Sequence, residues 1–83
     1  MKVIKRDGRV QEYDQTKIAL TLAHISDELE QPMTRGDIDY VLEEVGVRLA
    51  GRESVSYSEL RALVTESLSS CGFKAIARAY MVP

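Results

Sequence analysis

The sequence contains one cysteine, one histidine and no tryptophan, and it has no long apolar run. The single cysteine, Cys71, forms neither an internal disulfide nor a cysteine-rich zinc site, a usage that is typical of the reducing cytoplasm. No apolar run approaches the roughly 18 residues of a membrane span, and no secretory signal follows the charged amino terminus. These absences predict a cytoplasmic protein that does not cross a membrane.

A catalytic or metal centre is not expected either. His24 stands alone between Ala23 and Ile25, and no serine, cysteine or aspartate accompanies it at the spacing of a catalytic triad. The common glycine-rich phosphate loops, Gly-x-x-x-x-Gly-Lys and Gly-x-Gly-x-x-Gly, are both missing. The sequence therefore predicts a non-catalytic domain.

What is present indicates a folded domain with an uneven distribution of charge. The 83 residues are 45% hydrophobic and 29% charged, which suits one small domain with a modest core. Residues 1–17 contain five basic and three acidic side chains, whereas the remaining residues contain six basic and ten acidic ones. An anionic ligand is therefore expected to meet the amino-terminal segment.

Residues 2–13 read as a β-hairpin. Two runs rich in β-branched residues flank Asp7-Gly8, a pair that favours a type I′ turn because both central residues of that turn need positive φ. With this turn Val3 and Val10 face the core together, and Tyr13 is a further candidate for the core. A hairpin of this size is only marginally stable alone, so it must pack on other elements.

Helical periodicity and capping residues account for the rest of the chain. Asp14, Thr34 and the box Ser56-Tyr57-Ser58-Glu59 each precede an apolar stripe at helical spacing. The predicted helices cover about residues 14–30, 34–50, 57–71 and 73–81, and residues 53–55 are a candidate third strand. The predicted fold is α+β, with a small β cap over a four-helix bundle in one domain, 1–83.

Three basic residues near the amino terminus favour the binding of an anion. Lys5 and Arg6 stand beside the glycine turn, and Lys17 lies in the first turn of the first predicted helix. Helix amino termini disfavour cations by a few tenths of a kcal/mol, so a lysine there makes sense if it faces a bound anion. Solvated hairpin charges with one poorly placed lysine remain the alternative at this point.

The two ends of the sequence resemble one family. Residues 3–18, with Lys5-Arg6-Asp7-Gly8, Tyr13-Asp14 and Lys17-Ile18, are similar to the opening of an ATP-cone. That domain is the regulatory nucleotide-binding module at the amino end of many ribonucleotide reductases and in their transcriptional repressor. Residues 72–80 resemble its Gly-aromatic and Ala-x-x-Tyr ending.

The resemblance implies that ATP or dATP, with Mg²⁺, binds between the β cap and the helices. It assigns phosphate contacts to Lys5 and Arg6, and a contact with the nucleotide to Lys17. The residues implied for the remaining contacts are Val3 and Ile18 against base or sugar, Gln11 and Asp14 near adenine and ribose, and Arg61 on the phosphate side. The implied function is allosteric control of the activity or assembly of a ribonucleotide reductase catalytic subunit or attached domain, with a homo-oligomer as one form of assembly.

Two departures from the family pattern keep an alternative open. Gln11 stands where an acid is common, and the basic and aromatic residues that usually follow the final tyrosine are missing. Their phosphate contact is therefore lost unless Lys74 or Arg78 replaces it. The alternative is a degenerate cone that serves as a protein-interaction or oligomerisation module without nucleotide. DNA binding is disfavoured because residues 18–83 carry a net negative charge and no DNA-reading motif is present.

Overall fold

A computed structural model describes residues 1–81 and confirms the α+β class, with a three-stranded sheet and four helices. The elements in chain order are β1 (Lys2–Ile4), β2 (Val10–Glu12), α1 (Gln15–Glu28), α2 (Arg35–Leu49), β3 (Ser54–Ser56), α3 (Tyr57–Ser70) and α4 (Lys74–Met81). The strands are arranged in the order β2-β1-β3, so the amino-terminal strand is central. The sequence's last two residues, 82 and 83, lie outside the described range.

The hairpin turn differs from the predicted type I′. The N–H of Gly8 donates to the carbonyl of Lys5 at 3.0 Å, which closes a turn one residue earlier than expected. Gly8 has φ +88°, whereas Asp7 does not have positive φ. The loop is therefore a three-residue connection, a type I turn followed by a left-handed glycine, and not a two-residue turn.

This longer loop changes the register of the hairpin by one residue. Val3 pairs with Gln11, and Ile4 pairs with Val10. Because alternate residues of a strand face opposite sides, Val3 and Gln11 point inward and Val10 points outward. The prediction that Val10 faces the core is wrong: its side chain is 57% exposed.

The central strand also pairs with β3, in parallel. Ile4 is opposite Ser56, and the neighbouring Val55 is fully enclosed at 1% exposure. Ser56 is both the last residue of β3 and the N-cap of α3. The register therefore brings Lys5, the residue after β1, alongside Tyr57, the first residue of α3.

The core lies between the inner face of the sheet and the four helices. Each of the first three helices begins at a capping side chain, and Thr34 forms a reciprocal capping box with Asp37. Val3 and Val55 are the core residues from the sheet. The helices contribute Ile18, Leu22, Val41, Leu42, Val45, Leu49, Leu60, Val64, Leu68, Ile76, Ala77 and Tyr80.

The helices α1 and α3 end in the same hydrogen-bonded motif with different residues at its left-handed position. After α1, the N–H of Gln31 donates to the carbonyl of Ser26, and left-handed Glu30 has φ 52°. After α3, the N–H of Phe73 donates to the carbonyl of Leu68, and Gly72 fills the left-handed position with φ 94°. Both are Schellman ends, in which glycine avoids the steric cost that an L side chain incurs.

Substitutions at the two left-handed positions, Glu30 and Gly72, should have opposite effects on stability. Glu30→Gly should raise the free energy of unfolding by about 1 kcal/mol, and Gly72→Ala should lower it by about the same amount, because only glycine adopts this backbone conformation without strain. Nothing lies within 4 Å of a Cβ built at Gly72, so the effect there is conformational. Urea unfolding monitored by circular dichroism measures both. Glu30→Ala, which removes the carboxylate and keeps the strain, should gain much less than Glu30→Gly; equal gains would contradict the backbone explanation.

Candidate functional site

Two adjoining clefts lie where the hairpin meets the helices. The larger has a volume of about 530 Å³, within the roughly 300–1,000 Å³ typical of small-molecule sites. It is lined by Lys5, Arg6, Asp7, Arg9, Tyr57, Arg61 and Met81. The smaller has a volume of about 200 Å³ and opens between the sheet, α1, α3 and α4. Lys5 and Tyr57 line both clefts and form their common border.

Every side chain that the resemblance assigned to the nucleotide lines one of the two clefts. Lys5, Arg6 and Arg61 line the larger cleft. The smaller cleft receives Val3, Lys5, Gln11, Asp14, Lys17 and Ile18. Residues from two strands and two helices thus meet in one place, and the inward orientation of Gln11 follows from the three-residue hairpin loop.

Four of the cations on these clefts have no carboxylate partner in the part of the chain that the structure describes. Within residues 1–81, no ion pair shorter than 4 Å involves Lys5, Arg6, Lys17 or Arg61. Arg9 differs, since its Nε lies 2.6 Å from a carboxylate oxygen of Asp7. The four side chains therefore leave positive charge at the clefts that the surrounding described residues do not neutralise.

The carboxylates that line the same clefts are already engaged. Asp7 is paired with Arg9, and Asp14 caps α1 by accepting a hydrogen bond from the N–H of Thr16 at 3.0 Å. Glu12 pairs with the ammonium group of Lys2, and this hydrogen bond and charge lower the pKa of the Glu12 carboxyl. These carboxylates thus contact groups other than the four cations, which remain available to an anion.

A family model described as the ATP cone domain matches residues 1–82. The chain belongs to the ATP-cone domain family. This confirms the resemblance seen at the two ends of the sequence and shows that the middle belongs to the same domain. ATP-cone domains are regulatory modules that bind ATP or dATP as effectors, and they are not catalytic domains. No curated protein matches the chain.

Three tyrosines of this ATP-cone also line the smaller cleft, although sequence reasoning did not assign them to the site. They are Tyr13, Tyr57 and Tyr80. The hydroxyl of Tyr13 is buried and has no hydrogen-bond partner among residues 1–81. They lie at a strand end, a helix start and a helix end, and no sequence pattern at these positions indicated that they share a site. Only the pairing of β1 with β3 and the packing of α4 bring them together.

Arg61 of the ATP-cone is held by two of these tyrosines. Its guanidinium carbon lies 5.7 Å from the ring centroid of Tyr57 and 5.1 Å from that of Tyr80. One terminal nitrogen donates to the Tyr57 hydroxyl at 3.3 Å, and the other donates to the backbone carbonyl of Tyr80. Arg61 therefore links the first turns of α3 to the end of α4 while it lines the larger cleft.

Lys74 and Arg78, the other basic residues considered for a phosphate contact, lie outside the two clefts. Lys74 and Arg78 of α4 line another groove with Thr65 and Ser69 of α3, and this groove shares Met81 with the larger cleft. The described residues therefore give no support to a phosphate contact by Lys74 or Arg78, and Lys74 is a useful control position.

Within residues 1–81, no group of three or more histidine, cysteine, aspartate or glutamate side chains is arranged to hold a metal ion. None of the helices described has the length and apolar character needed to span a bilayer.

Alkaline pH should weaken the fold of this ATP-cone through Tyr80. Burial raises the pKa of the Tyr80 phenol above its ordinary value of 10.0, so the folded state resists ionisation while the unfolded state does not. The associated stability is complete below about pH 10 and is lost as pH rises from there through the higher folded-state pKa. Urea unfolding between neutral and alkaline pH should show a shallower loss for Tyr80→Phe than for wild type. Tyr40→Phe, at an exposed tyrosine, should leave the wild-type profile unchanged; an unaltered profile for Tyr80→Phe would refute the explanation.

Proposed function

We propose that this ATP-cone binds ATP or dATP across the two clefts and serves as a non-catalytic allosteric module. The observation that carries the proposal is a set of four cations on the clefts, Lys5, Arg6, Lys17 and Arg61, that have no carboxylate partner within residues 1–81 of a chain whose net charge is −2. Converging cations bind polyphosphate strongly because charge-assisted hydrogen bonds are about twice as strong as neutral ones. Membership of the ATP-cone family supports ATP or dATP as the effector.

The two clefts suit different parts of the nucleotide. In the proposed arrangement the phosphates occupy the larger cleft, where Lys5, Arg6 and Arg61 neutralise them. The base and ribose occupy the smaller cleft, whose apolar side chains include Val3 and Ile18 and whose polar side chains include Gln11, Asp14 and Lys17. Mg²⁺ would be bound mainly by the phosphates, since this ion is usually held by one or two carboxylates together with phosphate oxygens.

Regulation follows from the position of the clefts between separate elements. A nucleotide that contacts the hairpin, α1 and α3 together favours the arrangement in which these elements are closest, and it shifts the population toward that state. We propose that the altered surface controls the activity or oligomerisation of a partner of the ribonucleotide-reductase type, whether an attached domain or a separate catalytic subunit. ATP and dATP differ by one ribose hydroxyl, so any difference in their effects must originate in the smaller cleft.

Removal of a cleft cation should weaken nucleotide binding. Lys5→Ala and Lys17→Ala should each raise the Kd for ATP-Mg²⁺ and dATP-Mg²⁺ by about tenfold, because each removes a charged hydrogen-bond donor, which faces the phosphates at Lys5 and the base or ribose at Lys17. Isothermal titration calorimetry measures this change. Lys74→Ala makes the same substitution on another groove and should retain wild-type affinity. Equal weakening by all three variants would indicate unspecific attraction of anions.

Thermal unfolding provides an independent check on binding by the wild-type chain. An effector at 100 times its Kd should stabilise the folded state by about 2.7 kcal/mol. ATP and dATP should therefore raise Tm, and GTP should do so less if the smaller cleft recognises adenine. Absence of any shift at millimolar ATP and dATP would contradict nucleotide binding and favour the alternative of an interaction module without nucleotide.

The regulatory part of the proposal predicts an effect of nucleotide on assembly. The purified chain, examined by size-exclusion chromatography with light scattering, should change its oligomeric state between nucleotide-free, ATP-bound and dATP-bound samples, because occupancy alters the surface near the hairpin. Lys5→Ala, at nucleotide concentrations that saturate only the wild type, is the matched control and should not respond. Assembly that is identical in all samples would contradict oligomerisation as the output of this domain.

A further inference from the structure

We propose that Tyr57 is a positioning residue whose ring holds Lys5 and Arg61 at the border between the two clefts. The proposal rests on the proposed function, because the purpose of this positioning is to present both cations to the phosphates. Tyr57 itself was not assigned to the nucleotide by the sequence or by the family resemblance.

The ring of Tyr57 is close to both cations. The Lys5 Nζ and the Arg61 Cζ each lie 5.7 Å from its centroid. Cations within about 6 Å of an aromatic centroid are attracted by the negative face of the ring. That attraction offsets the mutual repulsion of two like charges, so both side chains can stay at the border before any anion arrives.

The two cations depend on the ring to different degrees. Arg61 has further support from Tyr80, whose ring and backbone carbonyl it also contacts. The Lys5 ammonium has no hydrogen bond or ion pair with another side chain of residues 1–81. The ring of Tyr57 is therefore the specific contact that orients Lys5, and loss of the ring should affect Lys5 more than Arg61.

The backbone keeps Tyr57 in this position. It is the first residue of α3, directly after Ser56, which caps the helix by accepting from the N–H of Glu59 at 3.1 Å. Ser56 is also paired with Ile4 in the sheet. The half-buried ring packs against the core on one side and borders both clefts on the other. A rigid helix start thus supplies a fixed support for a flexible lysine.

Two substitutions distinguish the contribution of the aromatic ring from that of apolar packing. Tyr57→Leu keeps an apolar side chain against the core but removes the ring, and Tyr57→Phe keeps the ring and removes only the hydroxyl. Calorimetry should show about threefold to tenfold weaker ATP-Mg²⁺ binding for Tyr57→Leu, the range expected for loss of cation–π attraction. Tyr57→Phe loses the hydrogen bond from Arg61 to the hydroxyl but keeps the ring, and Arg61 keeps its contacts with Tyr80, so its affinity should stay much closer to wild type than that of Tyr57→Leu. Adenosine, which has no phosphates, should bind all three proteins equally.

A double-mutant cycle tests whether Tyr57 acts through Lys5. In a Lys5→Ala background, Tyr57→Leu should weaken ATP binding much less than in the wild-type background, because the group that it positions is gone. In the nucleotide-free protein, the Lys5 ε-methylene NMR signals should move on Tyr57→Leu and stay close to wild type on Tyr57→Phe. Circular dichroism checks that each variant is folded.

Distinct results would overturn the role of Tyr57. Wild-type affinity for ATP in Tyr57→Leu would show that the ring is not needed, and equal loss of ATP and adenosine would instead make the ring a contact of the base. A Tyr57→Phe variant as weak as Tyr57→Leu would assign the effect to the hydroxyl. A wild-type chain that binds neither ATP nor dATP overturns the proposed function and this role with it, whereas the preceding results overturn the role alone.

Discussion

The parallel pairing of the amino-terminal strand with β3 is the constraint on which the rest of the structure depends. It joins Val3 to Val55, two buried residues that are far apart in the sequence. Because β3 continues directly into α3, this pairing also determines where that helix begins relative to the hairpin. The border between the two clefts, formed by Lys5 and Tyr57, is a direct consequence of the register.

The distribution of charge at the two clefts makes this part of the ATP-cone suitable for an anionic ligand. Lys5, Arg6, Lys17 and Arg61 have no carboxylate partner within residues 1–81, while the acids beside them are occupied by a helix cap or by other cations. Concentrated positive charge opposes folding through self-repulsion. In the proposed function a bound polyphosphate relieves this repulsion, so nucleotide binding and stability are coupled.

Much of the fold could be predicted because its determinants are local. Capping side chains and apolar periodicity located four helices, and a glycine beside β-branched residues located the hairpin. The hairpin register was not predictable in this way, since Asp7-Gly8 suits both a two-residue and a three-residue loop. The difference of one residue moved Val10 to the outer face and Gln11 to the inner one. The family match over residues 1–82 then supported the reading of the two ends.

The sequence by itself determined the α+β class, the cations at the front of the chain and the resemblance of both ends to an ATP-cone. Those features depend on residues that are neighbours in the chain or lie one helical turn apart. Only the tertiary structure decided that Tyr13, Tyr57 and Tyr80 share a cleft, that Arg61 contacts the end of α4, and that Lys74 faces a different groove. These contacts join residues distant in sequence, and their geometry depends on strand register and helix packing, which no local pattern encodes.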